Sequence, residues 1–218
     1  MQRVFFLGLG ALAILGSAPA KADAGDILIK ARGSYHQRLD GFSINLPGEN
    51  VPVDADIENT TGAEAAITMF LTDHLAAEVS MGGAGYQIKD STGRRLVSAD
   101  LLVSTVSLQY HFTPASQKIR PYIGLGINHL NLYSEAVDLE LKNSAPDPFV
   151  SYNSKLIGGF APVAQAGSDI ALGDQLFLNF DVKYTSRKTE VRIEREIRAT
   201  EARRLSSVIV GLGLGFRF

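Results

Sequence analysis

The sequence predicts an all-β fold, specifically an eight-stranded antiparallel up-and-down transmembrane β-barrel. Eight segments alternate apolar residues with polar or small ones at a period of two, as β-strands with two different faces do. Long and short connections between these segments alternate strictly along the chain. Charged residues within the segments lie opposite the apolar face, which suits lipid outside and a polar interior.

The eight predicted strands contain glycine, charged or hydroxyl residues too often to include a spanning helix. They cover residues 27–36, 62–71, 75–82, 102–112, 120–128, 155–172, 176–185 and 205–218. The sixth strand contains Pro162, which cannot donate a ladder hydrogen bond, so we expect a bulge or irregular pairing there.

The connections favour a membrane barrel over a sandwich. Residues 72–74, 113–118 and 173–175 are short connections, whereas 37–61, 83–100, 129–154 and 186–204 are long ones. All short turns, and both ends of the barrel chain, therefore lie at one end of the predicted meander. Outer-membrane barrels have short periplasmic turns and longer outer loops. A Greek-key sandwich does not need this alternation.

The polar face of the strands is predicted to line the barrel interior. Its members are Lys30, Arg32, Glu64, Glu78, Gln109, Tyr122, Asn128, Gln165, Asp181 and Lys183. A water-soluble cup of eight strands would show the reverse arrangement. Because eight strands enclose little more than the room that side chains fill, we expect these charges to pair as a plug rather than line an aqueous pore. The expected partners are Glu64 for Lys30 and Arg32, and residues of the closing strand for Lys183. Arg120 and Arg217 are placed in water at the periplasmic rim.

Aromatic residues lie near the ends of predicted strands on the lipid-facing side. They are Tyr110, Phe112, Tyr184, Phe216 and Phe218. Rings at the level of the lipid headgroups form the aromatic girdles of membrane barrels. This placement supports a membrane position for the barrel.

The N-terminus predicts export. The N-terminus has a basic Arg3, an apolar run over residues 4–16 and small residues at Ala20 and Ala22, which describe a signal peptide over residues 1–22. Cleavage after Ala24 is the alternative. The remaining residues, 23–218, form one predicted barrel domain. Of the 21 Lys and Arg residues, two lie in the signal, so 19 basic residues face 23 acidic ones, which argues against a nucleic-acid partner. The chain has no cysteine and therefore no disulfide framework.

Five stretches resemble the OmpW family of outer-membrane proteins. They are LTDHLAAEV from Leu71, SLQYHF from Ser107, IRPYIGLGIN from Ile119, FLNFDVKY from Phe177 and the terminal GLGLGFRF. The resemblance covers nearly all of the mature chain in the same order. The charged last loop and the absence of tryptophan depart from the family pattern.

The resemblance implies a location in the outer membrane of a Gram-negative bacterium, surrounded by membrane lipid and lipopolysaccharide. It implies a narrow, largely apolar channel for small hydrophobic solutes. It also implies that the terminal aromatics, Phe216 and Phe218, are the assembly signal that the barrel-insertion machinery reads.

Catalytic and metal chemistry have weaker signals. The four histidines are His36, His74, His111 and His129. They are scattered along the chain and lack the spacing of metal ligands, so no metal or cofactor is expected. Ser34, His36 and Asp40 form the best hydrolytic candidate, because a nucleophile needs an adjacent base. Such residues near a strand end more commonly serve hydrogen bonding, so we expect no enzyme.

The long loops carry apolar residues, and exposed apolar groups in water usually have a packing or binding role. Phe42, Leu46, Phe149 and Tyr152 are predicted either to pack over the barrel mouth or to line an apolar ligand path. In the charged segment 188–204, Val191, Ile193, Ile197 and Ala199 share a strand face rather than a helix face. This favours two barrel strands that extend past the membrane with a solvated charged face. The segment 188–204 has a net positive charge and could bind lipopolysaccharide phosphates.

Three functions follow from these observations. The favoured one is a passive outer-membrane channel for small hydrophobic molecules. The alternative is a structural or adhesion barrel whose outer loops bind lipopolysaccharide or a partner. The third is a lipid hydrolase that uses Ser34 and His36.

Overall fold

The computed structural model describes residues 25–39, 42–44, 53–90, 95–114, 117–137, 154–156, 159–189, 191–193 and 203–218. Within these residues the secondary structure consists of strands and turns. The strands are β1 (Ile27–Arg38), β2 (Phe42–Ile44), β3 (Val53–Ile57), β4 (Thr60–Phe70), β5 (Leu75–Asp90), β6 (Arg95–His111), β7 (Ile119–Val137), β8 (Ser154–Leu156), β9 (Gly159–Ala171), β10 (Leu176–Thr189), β11 (Val191–Ile193) and β12 (Arg203–Arg217). The described part of the chain contains no helix of the length and hydropathy that crossing a membrane requires.

Eight of these strands form a closed antiparallel barrel. The long strands pair in the order β1, β4, β5, β6, β7, β9, β10 and β12. The ring closes where β1 pairs with β12, from Leu28 opposite Arg217 to Arg38 opposite Ser207. The predicted fold class and the predicted order of eight strands are confirmed.

The tight turns and the described chain ends lie together at one end of the barrel. Gly25 donates its backbone N–H to the carbonyl of Phe70, and Phe218 donates to the carbonyl of Ile27. The turn after β4 is fixed by Thr72, whose hydroxyl accepts from the backbone N–H of Leu75 at 2.9 Å. This end corresponds to the periplasmic side of an outer-membrane barrel.

The strands extend further toward the opposite end than the sequence predicts. The β5–β6 pairing continues to Lys89 opposite Arg95, so most of the predicted loop 83–100 is strand. Backbone hydrogen bonds hold these extensions together where lipid no longer requires an apolar face. The same holds for β10 and β12, which pair as far as Thr189 opposite Arg203.

Two parts of the predicted organisation are wrong. Residues 155–172 do not form one strand, because the segment divides into β8 and β9. The second error concerns Val191 and Ile193, which were expected to continue the barrel hairpin. They lie in β11, which pairs with β8 in a separate two-stranded sheet, with Val191 opposite Leu156. Ile197 and Ala199 lie outside the described residues.

The irregular pairing expected at Pro162 is limited to one side of β9. On the β7 side the register runs without a shift from Ile119 opposite Ile170 to Leu130 opposite Gly159, so no bulge occurs there. On the β10 side the ladder ends at Val163 opposite Thr185. The carbonyl of Pro162 accepts a hydrogen bond from the Thr185 hydroxyl at 3.1 Å, so the missing N–H also falls on the β10 side.

The outer surface of the barrel is apolar between two levels of aromatic rings. At the periplasmic end the exposed rings are Tyr110, Phe112, Phe216 and Phe218; toward the other end they are Tyr35, Phe160 and Tyr184. On β10 Tyr184 lies eight positions after Leu176, which is opposite Phe216. At about 3.3 Å per residue and a tilt of about 40°, the two levels are roughly 20 Å apart. This height is close to the apolar band of outer-membrane barrels.

We expect assembly to depend on Phe218 more than on other periplasmic aromatics. Phe218 ends the chain beside the ring of Phe216, with the ring centroids 5.1 Å apart. Replacing Phe218 with Ser should leave unfolded, protease-sensitive chain in the periplasm of an expressing cell. The measurement is the amount of heat-modifiable protein in isolated outer membranes.

Phe112→Ser is the matched control, because Phe112 and Phe218 are both 53% exposed at the same end of the barrel. The control should assemble far better than Phe218→Ser. Equal assembly of both variants would show that the terminal ring is no signal.

Candidate functional site

The structure places all ten predicted interior side chains on the inner face of the barrel. Nine are buried: Lys30, Arg32, Glu78, Gln109, Tyr122, Asn128, Gln165, Asp181 and Lys183. Glu64 is half-buried. Asp169 and Asn179 share the same alternating face and join them, although the sequence analysis does not single them out.

Arg32 lies at the centre of the buried charges. Its guanidinium pairs with Glu64 and donates to Glu78 at 2.9 Å. Its Nε donates to the side-chain oxygen of Asn179 at 2.5 Å. Because both carboxylates and the amide come from other strands, this one side chain joins β1 to β4, β5 and β10.

The two lysines complete the ion pairs with partners other than the expected ones. Lys30 contacts Glu78 at 3.3 Å and Asp169 at 3.4 Å rather than Glu64. Lys183 contacts Glu64 at 2.6 Å, whereas residues of the closing strand were expected. Near Lys183 the inner face of the closing strand carries Ile209 and glycines and so offers no polar side chain.

Those glycines instead make room for the long cations. A Cβ at Gly211 would lie 3.2 Å from Cδ of Arg32, and one at Gly215 would lie 3.2 Å from Cγ of Lys30. At Gly213 a Cβ would overlap the backbone of Ala31. The glycine alternation of the terminal segment therefore lets two buried cations lie across β12.

Amide and hydroxyl groups satisfy the remaining carboxylate oxygens. Tyr122 donates its hydroxyl to Asp181 at 2.8 Å. Gln165 donates to Asp181 at 2.7 Å and to Glu78 at 3.1 Å, and Thr68 donates to Glu78 at 2.9 Å. Buried ions are stable only when such partners offset the loss of water. The middle of the barrel is thus filled by one hydrogen-bonded network, which we call the charge network.

The periplasmic end is closed by two arginines that were expected to sit in water. Arg120 is only 2% exposed and Arg217 only 7%. Arg120 lies over the ring of Phe70 at 4.4 Å, and Arg217 lies over Phe177 at 4.6 Å. They also donate to turn carbonyls, Arg120 to Asp73 at 3.3 Å and Arg217 to that of residue 174 at 3.1 Å. Inward-facing aromatics thus hold the cations inside by cation–π contact.

Aromatic rings pack between these arginines and the charge network. The ring of His111 lies 4.9 Å from that of Phe70 and 5.0 Å from that of Tyr122, centroid to centroid. We call these rings, together with Arg120 and Arg217, the arginine floor. In the sequence it is marked by Phe70 and Phe177, two apolar residues among the polar residues of the inner face.

The outer part of the interior has two different walls. Buried apolar side chains on β6 and β9 form one wall: Leu101, Val103, Ala161 and Val163. Ile209 of β12 lies on the opposite side, between His36 of β1 and Lys183 of β10. Polar and basic residues of β1 and β10 form the other. There the Ser34 hydroxyl lies 3.0 Å from Nε2 of His36, and Arg38 and Arg187 lie beyond them. We call this outer part of the barrel interior the outer chamber.

The hydrolytic candidate is brought together only in part. Ser34 and His36 are within hydrogen-bond distance, but Asp40 lies outside the described residues. A hydrolase also needs donors that stabilise an oxyanion. Over the described ranges, no group of three or more His, Cys, Asp or Glu residues has the geometry of a metal site.

The predicted apolar loop path falls largely outside the described residues. This is so for Leu46, Phe149 and Tyr152. The backbone of Phe42 lies in β2, while its side chain is outside the described part. The apolar wall of the outer chamber is described instead, and the continued alternation of β6 and β9 is its sequence signal.

The structure is a closed eight-stranded antiparallel barrel with an apolar surface, aromatic girdles and a charged interior. This combination is typical of bacterial outer-membrane proteins. The sequence model of the OmpW family matches residues 23–218. The chain therefore belongs to the OmpW family and resides in the outer membrane of a Gram-negative bacterium.

Individual relatives agree with this assignment. An uncharacterized outer-membrane protein of Sinorhizobium fredii is 28% identical over 87% of this chain and 79% of the relative. Outer membrane protein W of Vibrio cholerae is 26% identical over 84% of this chain and 83% of its own. The crystal structure of OprG from Pseudomonas aeruginosa matches with a TM-score of 0.71 at 20% identity, over 90% of this chain and 97% of that one.

Removing one carboxylate from the charge network should strongly destabilise the barrel. Glu78→Gln keeps the shape of the side chain but leaves Lys30 and Arg32 with less negative charge around them. Breaking a buried ion pair costs about 3 kcal/mol or more of unfolding free energy. Urea titration in lipid vesicles, followed by gel mobility, measures that free energy.

Glu58→Gln is the control, since Glu58 pairs with Lys89 at 2.6 Å on the exposed surface. It should change the unfolding free energy by about 1 kcal/mol or less. Similar small effects in both variants would show that the buried pairs contribute no more than surface ones.

Proposed function

We propose that the protein is a passive outer-membrane channel for small hydrophobic molecules that enter the outer chamber and leave sideways into the bilayer. The observation that carries this proposal is the contrast along the barrel axis. The outer chamber has an apolar wall, while the charge network and the arginine floor close the path below it. We also propose that the protein performs no chemistry on the solute.

Energetics favour a sideways exit over passage along the axis. An apolar solute gains about 25 cal/mol for each Å² of apolar surface that leaves water. The outer chamber supplies that gain within the polar layer of lipopolysaccharide. Moving further down would require separating Arg32 from Glu78 and Lys183 from Glu64, and the solute could not replace those contacts.

The wall between β9 and β10 is the best candidate for the exit. The ladder between these strands ends at Val163 and Thr185, although both strands continue over described residues, to Gly159 and Thr189. Pairing occurs again between the segments on either side, at Leu156 opposite Val191. We call residues 159–162 of β9 and 186–189 of β10 the seam, which borders the apolar chamber residue Val163.

The seam has few contacts to break. Across it, the Thr185 hydroxyl donates to the Pro162 carbonyl at 3.1 Å and accepts from the side chain of Asn128 at 3.1 Å. Proline cannot supply the backbone N–H that would extend the ladder. Opening the wall here therefore breaks side-chain hydrogen bonds of Thr185 and Arg187 instead of a backbone ladder.

The alternative function is adhesion or lipopolysaccharide binding through the outer loops. The observation in its favour is that the β10–β12 register places Lys188 opposite Arg204. Two basic residues at one register position beyond the membrane suit anionic groups outside the cell. Adhesion does not need the seam, whereas the channel function does. One experiment that closes the seam therefore distinguishes the two proposals.

Locking the seam should stop the uptake of hydrophobic solutes. The chain has no cysteine, so a Pro162→Cys, Ser186→Cys pair would provide the only disulfide. In intact expressing cells, oxidation should reduce uptake of a small aromatic hydrocarbon severalfold or more, and a reductant should restore it. Uptake of a small sugar should not change.

The control pair is Ala166→Cys with Val182→Cys, because these residues already face each other within the ladder. Its disulfide should leave uptake unchanged. If the seam disulfide forms and hydrocarbon uptake persists, the sideways route is wrong. If hydrocarbon uptake is no greater than in cells that lack the protein, the adhesion alternative replaces the channel.

A further inference from the structure

The side chain of Asn128 crosses one strand of the barrel wall to reach the next. Asn128 is an inner residue of β7, is 3% exposed and lies opposite Ala161 of β9. The partners of its amide lie beyond β9, on β10: the nitrogen donates to the Thr185 hydroxyl at 3.1 Å, and the oxygen accepts from Arg187 at 3.3 Å. Because the side chain of Ala161 is a single methyl group, the amide can pass over it. Asn128 therefore ties β10 to β7 from inside the barrel.

This tie lies where the backbone stops holding β9 to β10. The ladder between these strands ends at Val163 opposite Thr185. One row further out, at the level of Asn128, no backbone pairing joins the two strands over the residues that the structure describes. A further hydrogen bond runs from the Thr185 hydroxyl to the carbonyl of Pro162 at 3.1 Å. Since an amide and a hydroxyl can each donate and accept at once, these bonds form one connected chain across the seam.

A similar side-chain bridge deeper in the barrel crosses a wall that the backbone already holds. The hydroxyl of Ser107 on β6 donates across β7 to the side-chain oxygen of Gln165 on β9 at 2.9 Å. The ladders on both sides of β7 are continuous at this level, with Ser107 opposite Gly126 and Gly124 opposite Gln165. Losing the Ser107 bridge would therefore leave the wall paired, whereas losing the Asn128 bridge would leave β10 without its tie to β7.

We propose that Asn128 is the latch of the seam: its amide holds the wall shut, and its release lets β10 move away from β9. This inference rests on the proposed channel function and adds what regulates the exit. A hydrocarbon neither donates nor accepts hydrogen bonds, so it cannot displace the amide from Thr185 or Arg187. Opening must therefore precede passage, and the fraction of molecules with a released latch sets the rate at which solutes leave.

Distances between spin labels in lipid nanodiscs measure the latch directly. The chain has no cysteine, so labels can be placed at Ile127→Cys and Ser186→Cys alone. Both positions lie on the outer face, on either side of β9 at the seam, and Ile127 is opposite Pro162. Asn128→Leu keeps the approximate size of the side chain and removes its hydrogen bonds. The population with a longer label distance should rise about fivefold or more, as expected for the loss of one hydrogen bond.

The matched label pair is Ile123→Cys with Val182→Cys, which spans β9 where both ladders are continuous, since Ala166 is opposite both residues. Its distance should be the same with and without Asn128→Leu. Ser107→Ala is the control for the loss of a buried hydrogen bond across a strand, and it should leave both label distances unchanged. An unchanged distance at the seam in Asn128→Leu that retains heat-modifiable mobility would overturn the inference.

Thr185 provides a second test that does not depend on how Asn128→Leu folds. Thr185→Val keeps the branched shape of the side chain without the hydroxyl, so it should also lengthen the label distance at the seam. Thr185→Ser restores the hydroxyl and should return the distance to that of the unmodified protein. Equal distances in the two Thr185 variants would show that the hydroxyl does not hold the seam, and the inference would then be wrong.

Uptake by intact cells separates a failure of the latch from a failure of the channel. For equal amounts of assembled protein, Asn128→Leu should admit a small aromatic hydrocarbon severalfold faster than the unmodified protein, while uptake of a small sugar should not change. If the seam opens but neither form takes up more hydrocarbon than cells that lack the protein, the latch is supported and the channel proposal is wrong. If the label distance is unchanged while the seam disulfide still stops uptake, the channel is supported and the latch is wrong.

Discussion

The contact of Arg32 with Glu64 and Glu78 is the interaction on which the rest of the structure depends. It joins three strands in the middle of the barrel, and Lys30 and Lys183 extend it to Asp169 and back to Glu64. A charged group without water is costly unless several partners surround it. The inner face must therefore supply carboxylates and amides from β4, β5, β9 and β10, and glycines from β12 to make room.

This filled centre determines where a function can lie. Below it, cation–π contacts close the periplasmic end, so the axis offers no apolar path. Above it, apolar and basic walls face one another, and the ladder between β9 and β10 stops at Val163 and Thr185. A chamber that is closed below and weak at one side is consistent with entry from outside and exit into the bilayer.

Much of this fold could be predicted because lipid imposes a strict period-two pattern on each strand. The alternation around Lys30 and Arg32, or around Asp181 and Lys183, is enough to assign each residue to the inner or outer face. The outer hairpin extensions were missed because beyond the lipid both faces of a strand can be polar. Lys89 and Arg95, for example, are paired in the β5–β6 ladder without an apolar face to mark them.

Partners across the barrel could not be predicted from one sequence. Lys30 meets Asp169 of β9 because of the stagger between strands, which no local pattern encodes. Arg120 was placed in water because its aromatic partner, Phe70, belongs to another strand. The outer chamber likewise combines residues of β6 and β9 with residues of β1, β10 and β12, and only their alternation is visible in the sequence.

The central claim is that the charge network closes the barrel axis. Single-channel conductance of the refolded protein in a planar lipid bilayer tests it most directly, because ions need a continuous water path through the middle of the barrel. The account predicts a conductance far below that of a general porin. A steady, large conductance of porin size would contradict it and show that the charges line water.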